Sequence, residues 1–235
     1  MVRASGIGPG FGFGALLLAL LLAGCSGGSS TPSGGPIFTA SESSRFVVAE
    51  GDLPPVYAQV ESGREVDCDS DYLANQGGLD ETASEVAVRR QLVALGPQGC
   101  RASTYERRID DYNVTGFLVF VAVFPDAAAA SKSLPLLRSS LADPLFRESF
   151  GRDGATLPAA QDIATAGLGD ESTPGIRRTL PIGRVGGPDK VVTNDYIWRV
   201  GNVAVRMTGG FPVGELTEAD VLNVAKNISA RATKR

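Results

Sequence analysis

The sequence predicts an α+β fold, a mainly antiparallel sheet with helices packed on it. Three observations point there. Val191 to Val200 and Val203 to Thr208 flank a Gly201-Asn202 pair and read as a β-hairpin. The run from Val114 to Phe124 is β-branched and aromatic and is apolar on both parities, as a strand buried on both faces must be. Segments with helical spacing of apolar residues lie before, between and after these strands, giving the order helix, strands, helix, strands, helix.

The first helix is expected from Thr82 to about Leu95. Thr82 and Glu85 have the spacing of a capping box, in which each side chain satisfies the backbone amide of the other residue. Val88, Leu92 and Leu95 share one face, and Gly96-Pro97 stops the segment. Glu85-Val86-Ala87-Val88 also alternates, so a strand competes locally. After the central strand, Pro125-Asp126 ends the extended run and Asp126 caps a second helix. There Ala127, Ala130, Leu134, Leu137 and Leu141 recur at steps of three and four. Pro135 lacks the amide that an interior helical position needs, so a kink or split is expected there. A short further helix would use Asp143 as cap, Pro144 at its first position and Gly151 as terminator.

A two-residue Gly201-Asn202 turn fixes the hairpin register. Val200 then faces Val203, Trp198 faces Val205 and Tyr196 faces Met207, an apolar set that belongs to the core. On the opposite side Arg199 faces Ala204, Ile197 faces Arg206 and Asp195 faces Thr208, so Arg199 and Arg206 are diagonal neighbours. The last helix is expected from Thr217 to about Ala232, with Thr217 as cap, Asp220 three positions on, and Val221, Val224, Ala225 and Ile228 as its buried stripe.

Ahead of the folded part, an apolar run from Ala15 to Ala23 ends at Leu22-Ala23-Gly24-Cys25. The run is shorter than the roughly 20 residues a membrane-spanning helix needs, and it follows Arg3 and a Gly-rich stretch in the manner of an export signal. Leu22 to Cys25 resembles the lipobox of bacterial lipoproteins. The resemblance implies diacylglycerol attached to Cys25 and cleavage before it. Each buried methylene is worth about 0.8 kcal/mol, so two or three chains hold a protein on the membrane without a spanning helix. Ser26, rather than Asp, follows the Cys, which in Gram-negative families implies no retention at the inner membrane. Ser26 to Gly35 holds only Ser, Gly, Thr and Pro, a composition that cannot offset its ordering entropy. It reads as a tether of about 20 Å root-mean-square length. The expected organisation is a signal peptide over 1–24, a lipidated tether over 25–42 and one extracytoplasmic α+β domain over 43–235, with folding to begin between Phe38 and Phe46.

Several function classes are excluded or weakened by composition. The formal charge of −4 becomes about −5 when Arg3 leaves, and the basic residues occur as isolated pairs such as Arg107-Arg108 and Arg177-Arg178. A nucleic-acid partner would need a clustered basic footprint. The chain has no histidine, which removes Ser-His and Cys-His nucleophile pairs and His-bearing zinc sites. With Cys25 lipidated, Cys68 and Cys100 remain. An even pair in an exported protein reads as a disulfide, worth roughly 4 kcal/mol by the chain-entropy model; two free buried thiols or a reactive pair are the alternatives.

Three constellations bear chemistry. Asp67, Asp69 and Asp71 have the opening spacing of a calcium loop, but the sixth position is Tyr72 and the twelfth Gly78, so a solvated acidic loop competes with a weak cation site and no metal is assigned. Gly167-Leu168-Gly169-Asp170-Glu171 is a tight turn whose own carboxylates oppose anion binding. Arg199 and Arg206 are the candidate ligand-binding pair, able to hold a carboxylate or phosphate bidentately; the alternative is a solvated face with ion pairs to Asp195. From the Gly167 turn through the hairpin to the closing helix, the sequence resembles bacterial envelope lipoproteins and extracytoplasmic sensor-like domains, a resemblance that carries no catalytic assignment. The expected function is that of a membrane-anchored extracytoplasmic lipoprotein, non-enzymatic and without cofactor, binding a small ligand or an envelope protein. The alternative is an envelope hydrolase that uses paired carboxylates.

Overall fold

A computed structural model of the chain describes residues 35–49, 51–69, 83–108, 114–142, 160–181 and 190–234. All of them fall within one compact unit, Pro32–Arg235. A 3-10 helix, Ala40–Phe46, opens it. The strands are β1 (Ala58–Val66), β2 (Gly99–Arg108), β3 (Val114–Val123), β4 (Gln161–Ile163), β5 (Glu171–Ser172), β6 (Gly175–Pro181), β7 (Lys190–Val200) and β8 (Val203–Pro212). The α-helices are α1 (Ala83–Ala94), α2 (Ala127–Ala142) and α3 (Glu218–Thr233).

One sheet runs β1-β2-β3-β8-β7-β6-β4, with β5 paired to β7 beyond the end of β6. Every pairing among the described strands is antiparallel. The expected α+β architecture is therefore the observed one. β3 and β8 form the middle of the sheet, and the Gly201-Asn202 hairpin has the expected register from Asp195 opposite Thr208 to Val200 opposite Val203. Gly201 supplies the positive φ of 57° that the turn needs.

Side chains alternate between the two faces of the sheet. On one face Phe117, Val119, Tyr196, Trp198, Val205 and Met207 pack with Val221, Ala225 and Ile228 of α3 and with Phe46. On the other face Phe120, Ala122, Ile197 and Ala204 pack with Leu92 of α1 and with Leu134, Leu137 and Leu141 of α2. The sheet is thus the middle of three layers. The Thr217 cap on α3 is formed as expected: its hydroxyl accepts the Asp220 amide at 3.2 Å, and Asp220 accepts the Thr217 amide at 2.8 Å. Those hydrogen bonds from Thr217, backbone first, hold the Asp220 carboxyl below its usual range.

Three expectations need correction. α2 runs unbroken through Pro135; the proline lies on the exposed side of the helix, where water can take the hydrogen bond that its missing amide leaves open. The fold begins before residue 43, because Phe38 is 5% exposed and residues 40–46 are already helical, so residues 38–42 belong to the domain rather than to the tether. The second face of the hairpin, for which a solvated face was the alternative to a ligand-binding one, is not solvated and lies under α1 and α2. The Thr82 cap and the short helix over Asp143, Pro144 and Gly151 lie outside the described residues, as do Cys25 and Asp71. No helix among the described residues is long and apolar enough to cross a membrane.

Candidate functional site

Arg199 and Arg206 share a sheet face as diagonal neighbours, but both are buried, at 7% and 3% exposure. They serve different groups. Arg199 is engaged by the Gly167 turn. Its Nε donates to Glu171 Oε2 at 2.6 Å, one terminal nitrogen donates to the Gly201 carbonyl at 3.2 Å, and the same nitrogen lies 3.7 Å from Asp170. Glu171 also accepts from Ser131 of α2 at 2.9 Å. Burial pushes the Glu171 carboxyl up, but the Arg199 and Ser131 hydrogen bonds and the Arg199 charge outweigh it, so its pKa lies below the usual range.

The turn itself is bound to the end of β7. Asp170 donates its amide to the Arg199 carbonyl at 2.8 Å and accepts the Gly201 amide at 2.7 Å. Gly169 has a φ of 64°, and a Cβ there would lie 2.3 Å from the Arg199 carbonyl oxygen, so only glycine fits. Asn202 completes this end of the molecule. Its side chain accepts the Phe38 amide at 2.7 Å and donates to the Phe38 and Phe124 carbonyls at 2.9 and 2.7 Å. Four segments distant in sequence meet there, and their polar groups satisfy one another.

Arg206 lies one residue pair further along the same face, in a second and different cluster. Asp195 is 2% exposed, and both its oxygens are occupied: Oδ2 accepts from Arg178 at 2.7 Å and Oδ1 from the Thr208 hydroxyl at 2.5 Å. Arg178, 5% exposed, also donates to the carbonyl of Leu141 near the end of α2. The Arg206 Nε has no hydrogen-bond partner among the described residues. Burial pulls the Arg206 guanidinium below its usual pKa; the Asp195 charge opposes that and the Arg178 charge adds to it. Two buried cations thus lie beside the Asp195 carboxylate.

Sequence reasoning named Arg206 and Asp195 but missed Arg178. The signal for it was slight: Arg177-Arg178 on a β-strand sends one side chain to each face, and Arg177 indeed lies toward Glu218 of α3, at 3.6 Å, while Arg178 turns inward. Only the β6-β7 register, with Arg178 opposite Thr193, brings it to Asp195.

Elsewhere the predicted groups are engaged. Cys68 and Cys100 form a disulfide with Cα atoms 5.2 Å apart. It borders a cavity of about 360 Å³ also lined by Ser43, Glu65, Asp67 and Gln98. Within the acidic run, Asp67 accepts the Asp69 amide at 3.0 Å and Asp69 pairs with Arg89 at 3.0 Å. Among the described residues no group of three or more potential metal ligands occurs.

No family model matches the chain, and no curated protein matches it either. Among solved structures it is similar to the extracellular domain of PknH from Mycobacterium tuberculosis, with a TM-score of 0.50 and 13% sequence identity over 86% of this chain and 100% of that one. At that identity the likeness is one of fold.

Proposed function

We propose that this chain is an extracytoplasmic domain held on the membrane surface by lipid on Cys25, and that it binds a small ligand or an envelope partner rather than transforming a substrate. The observation that carries this reading is the disulfide between Cys68 and Cys100 downstream of a lipobox-like leader, since such bridges persist in oxidising compartments outside the cytoplasm. The fold likeness to a domain described as extracellular supports the same compartment. Binding is favoured over hydrolysis by the state of the acids. Asp195, the deeply buried carboxylate, is held by Arg178 and Thr208. Among the described residues the displaced carboxyls, Glu171 and Asp220, are both shifted downward, whereas a glycosidase general acid needs an upward shift.

Intact mass and membrane fractionation of the natively expressed protein beside a Cys25→Ala variant test the anchor. The wild type is expected to gain lipid mass and to sediment with membranes while the variant does neither. A soluble, unlipidated wild type would overturn the localisation.

A further inference from the structure

The segment from Pro36 to Phe38 is fixed against the Gly201-Asn202 turn. Asn202 accepts the Phe38 amide at 2.7 Å and donates to the Phe38 carbonyl at 2.9 Å. The Pro36 carbonyl lies so close to Gly201 that a Cβ on that glycine would overlap it. The turn therefore clamps the backbone where the Ser26 to Gly35 stretch joins the domain.

Between the two clamped residues, Ile37 is 76% exposed, more than any other large apolar side chain among the described residues. It borders a cavity of about 330 Å³ shared with Glu42, Arg45, Ala232 and Thr233, so the last turn of α3 lies at the same end of the domain. Lys234, exposed, follows Thr233 as the cap of that helix. Glu42 accepts the Thr39 amide at 2.9 Å and lies 3.6 Å from Arg45. A water–lipid boundary suits such a group: the branched apolar side chain is buried, while long cationic side chains keep their charged heads among the phosphates.

Single exposed apolar residues are common on protein surfaces, and the place of Ile37 is what distinguishes it. On the lipid-anchored reading above, on which this inference rests, the stretch between Cys25 and the clamp has a root-mean-square length of about 20 Å. One isoleucine is too weak to recruit a protein from solution. A tether of this length makes its insertion an intramolecular event with a high effective concentration.

We infer that Ile37 inserts into the phospholipid surface that holds Cys25, with Arg45 and Lys234 against lipid phosphates. The domain then stands on the membrane by the end that carries the Gly201-Asn202 turn and the last turn of α3. Val213, 56% exposed, precedes α3 and is separated from that end by the 16 residues of the helix, about 24 Å. It faces away from the lipid.

The test uses the full lipidated chain in vesicles of phosphatidylglycerol and phosphatidylcholine whose acyl chains are brominated, so that they quench indole emission on contact. Trp198, the single tryptophan, is 0% exposed, and the wild type supplies the background. In Ile37→Trp the added emission is expected to lose most of its intensity relative to unbrominated vesicles, whereas in Val213→Trp it is expected to persist. Equal quenching of the two variants would overturn the inference, since the domain would then have no preferred end. Vesicle flotation and intact mass are scored separately. A protein that carries lipid and floats while Ile37→Trp keeps its emission would defeat this inference and leave the localisation standing; a protein without lipid on Cys25 would overturn both.

Discussion

On one side of the sheet Phe117, Trp198, Val205 and Met207 meet the apolar stripe of α3; on the other, Phe120, Ile197 and Ala204 meet α1 and α2, but Arg178, Asp195 and Arg206 are buried beside them. The two faces belong to the same strands and alternate residue by residue. Their difference separates apolar burial from buried charge. Apolar burial contributes in proportion to area, so the α3 face serves stability. Buried charge contributes little net stability even when paired, so a charged cluster under α2 calls for another reason to exist.

Disrupting the α3 face gives the largest expected effect. Phe117 is 1% exposed and meets Tyr57 edge-on with ring centroids 5.2 Å apart. Phe117→Ala should cost about 4 kcal/mol, as large-to-small changes of aromatic core residues do, read from the denaturant midpoint. On the charged face, Asp195→Asn should cost about 3 kcal/mol, because it breaks the buried ion pair that Arg178 makes with the Asp195 carboxylate; replacing Arg178 and Asp195 together by apolar residues should recover most of that loss. If Asp195→Asn were neutral, the contrast between the faces would collapse. The smallest effect is pH-dependent. The folded pKa of Glu171 lies below its unfolded value of about 4.3, so its stabilisation is full above that pH and is lost as pH falls through the folded value. Glu171→Gln should lower the melting temperature near neutrality and flatten part of its fall in acid.

What the sequence revealed follows the same division. The hairpin register, the Thr217 cap, the α3 stripe and the central strand were legible because each depends on neighbours close along the chain. The α3-facing residues Tyr196, Trp198 and Val200 were also recognisable as core, since an apolar parity must be buried somewhere. For the other parity, where Arg199, Arg206 and Asp195 are charged, a ligand-binding or a solvated face was read rather than a buried one, and nothing local says that Leu134, Leu137 and Leu141 will cover it. Arg178 and Asp195 meet only through the β6-β7 pairing, and Phe38 meets Asn202 across nearly the whole domain. Likewise β1 and β2 went unread, since strands such as Gly99–Arg108 mix charged and polar residues into their alternation.

The most direct test of the division between the faces is the melting temperature of Arg206→Met beside the wild type. If Arg206 is a buried cation that adds nothing to stability, its removal leaves the midpoint equal to or above that of the wild type. A midpoint several degrees lower would mean that Arg206 holds the fold together, and the charged face would then be structural like its opposite.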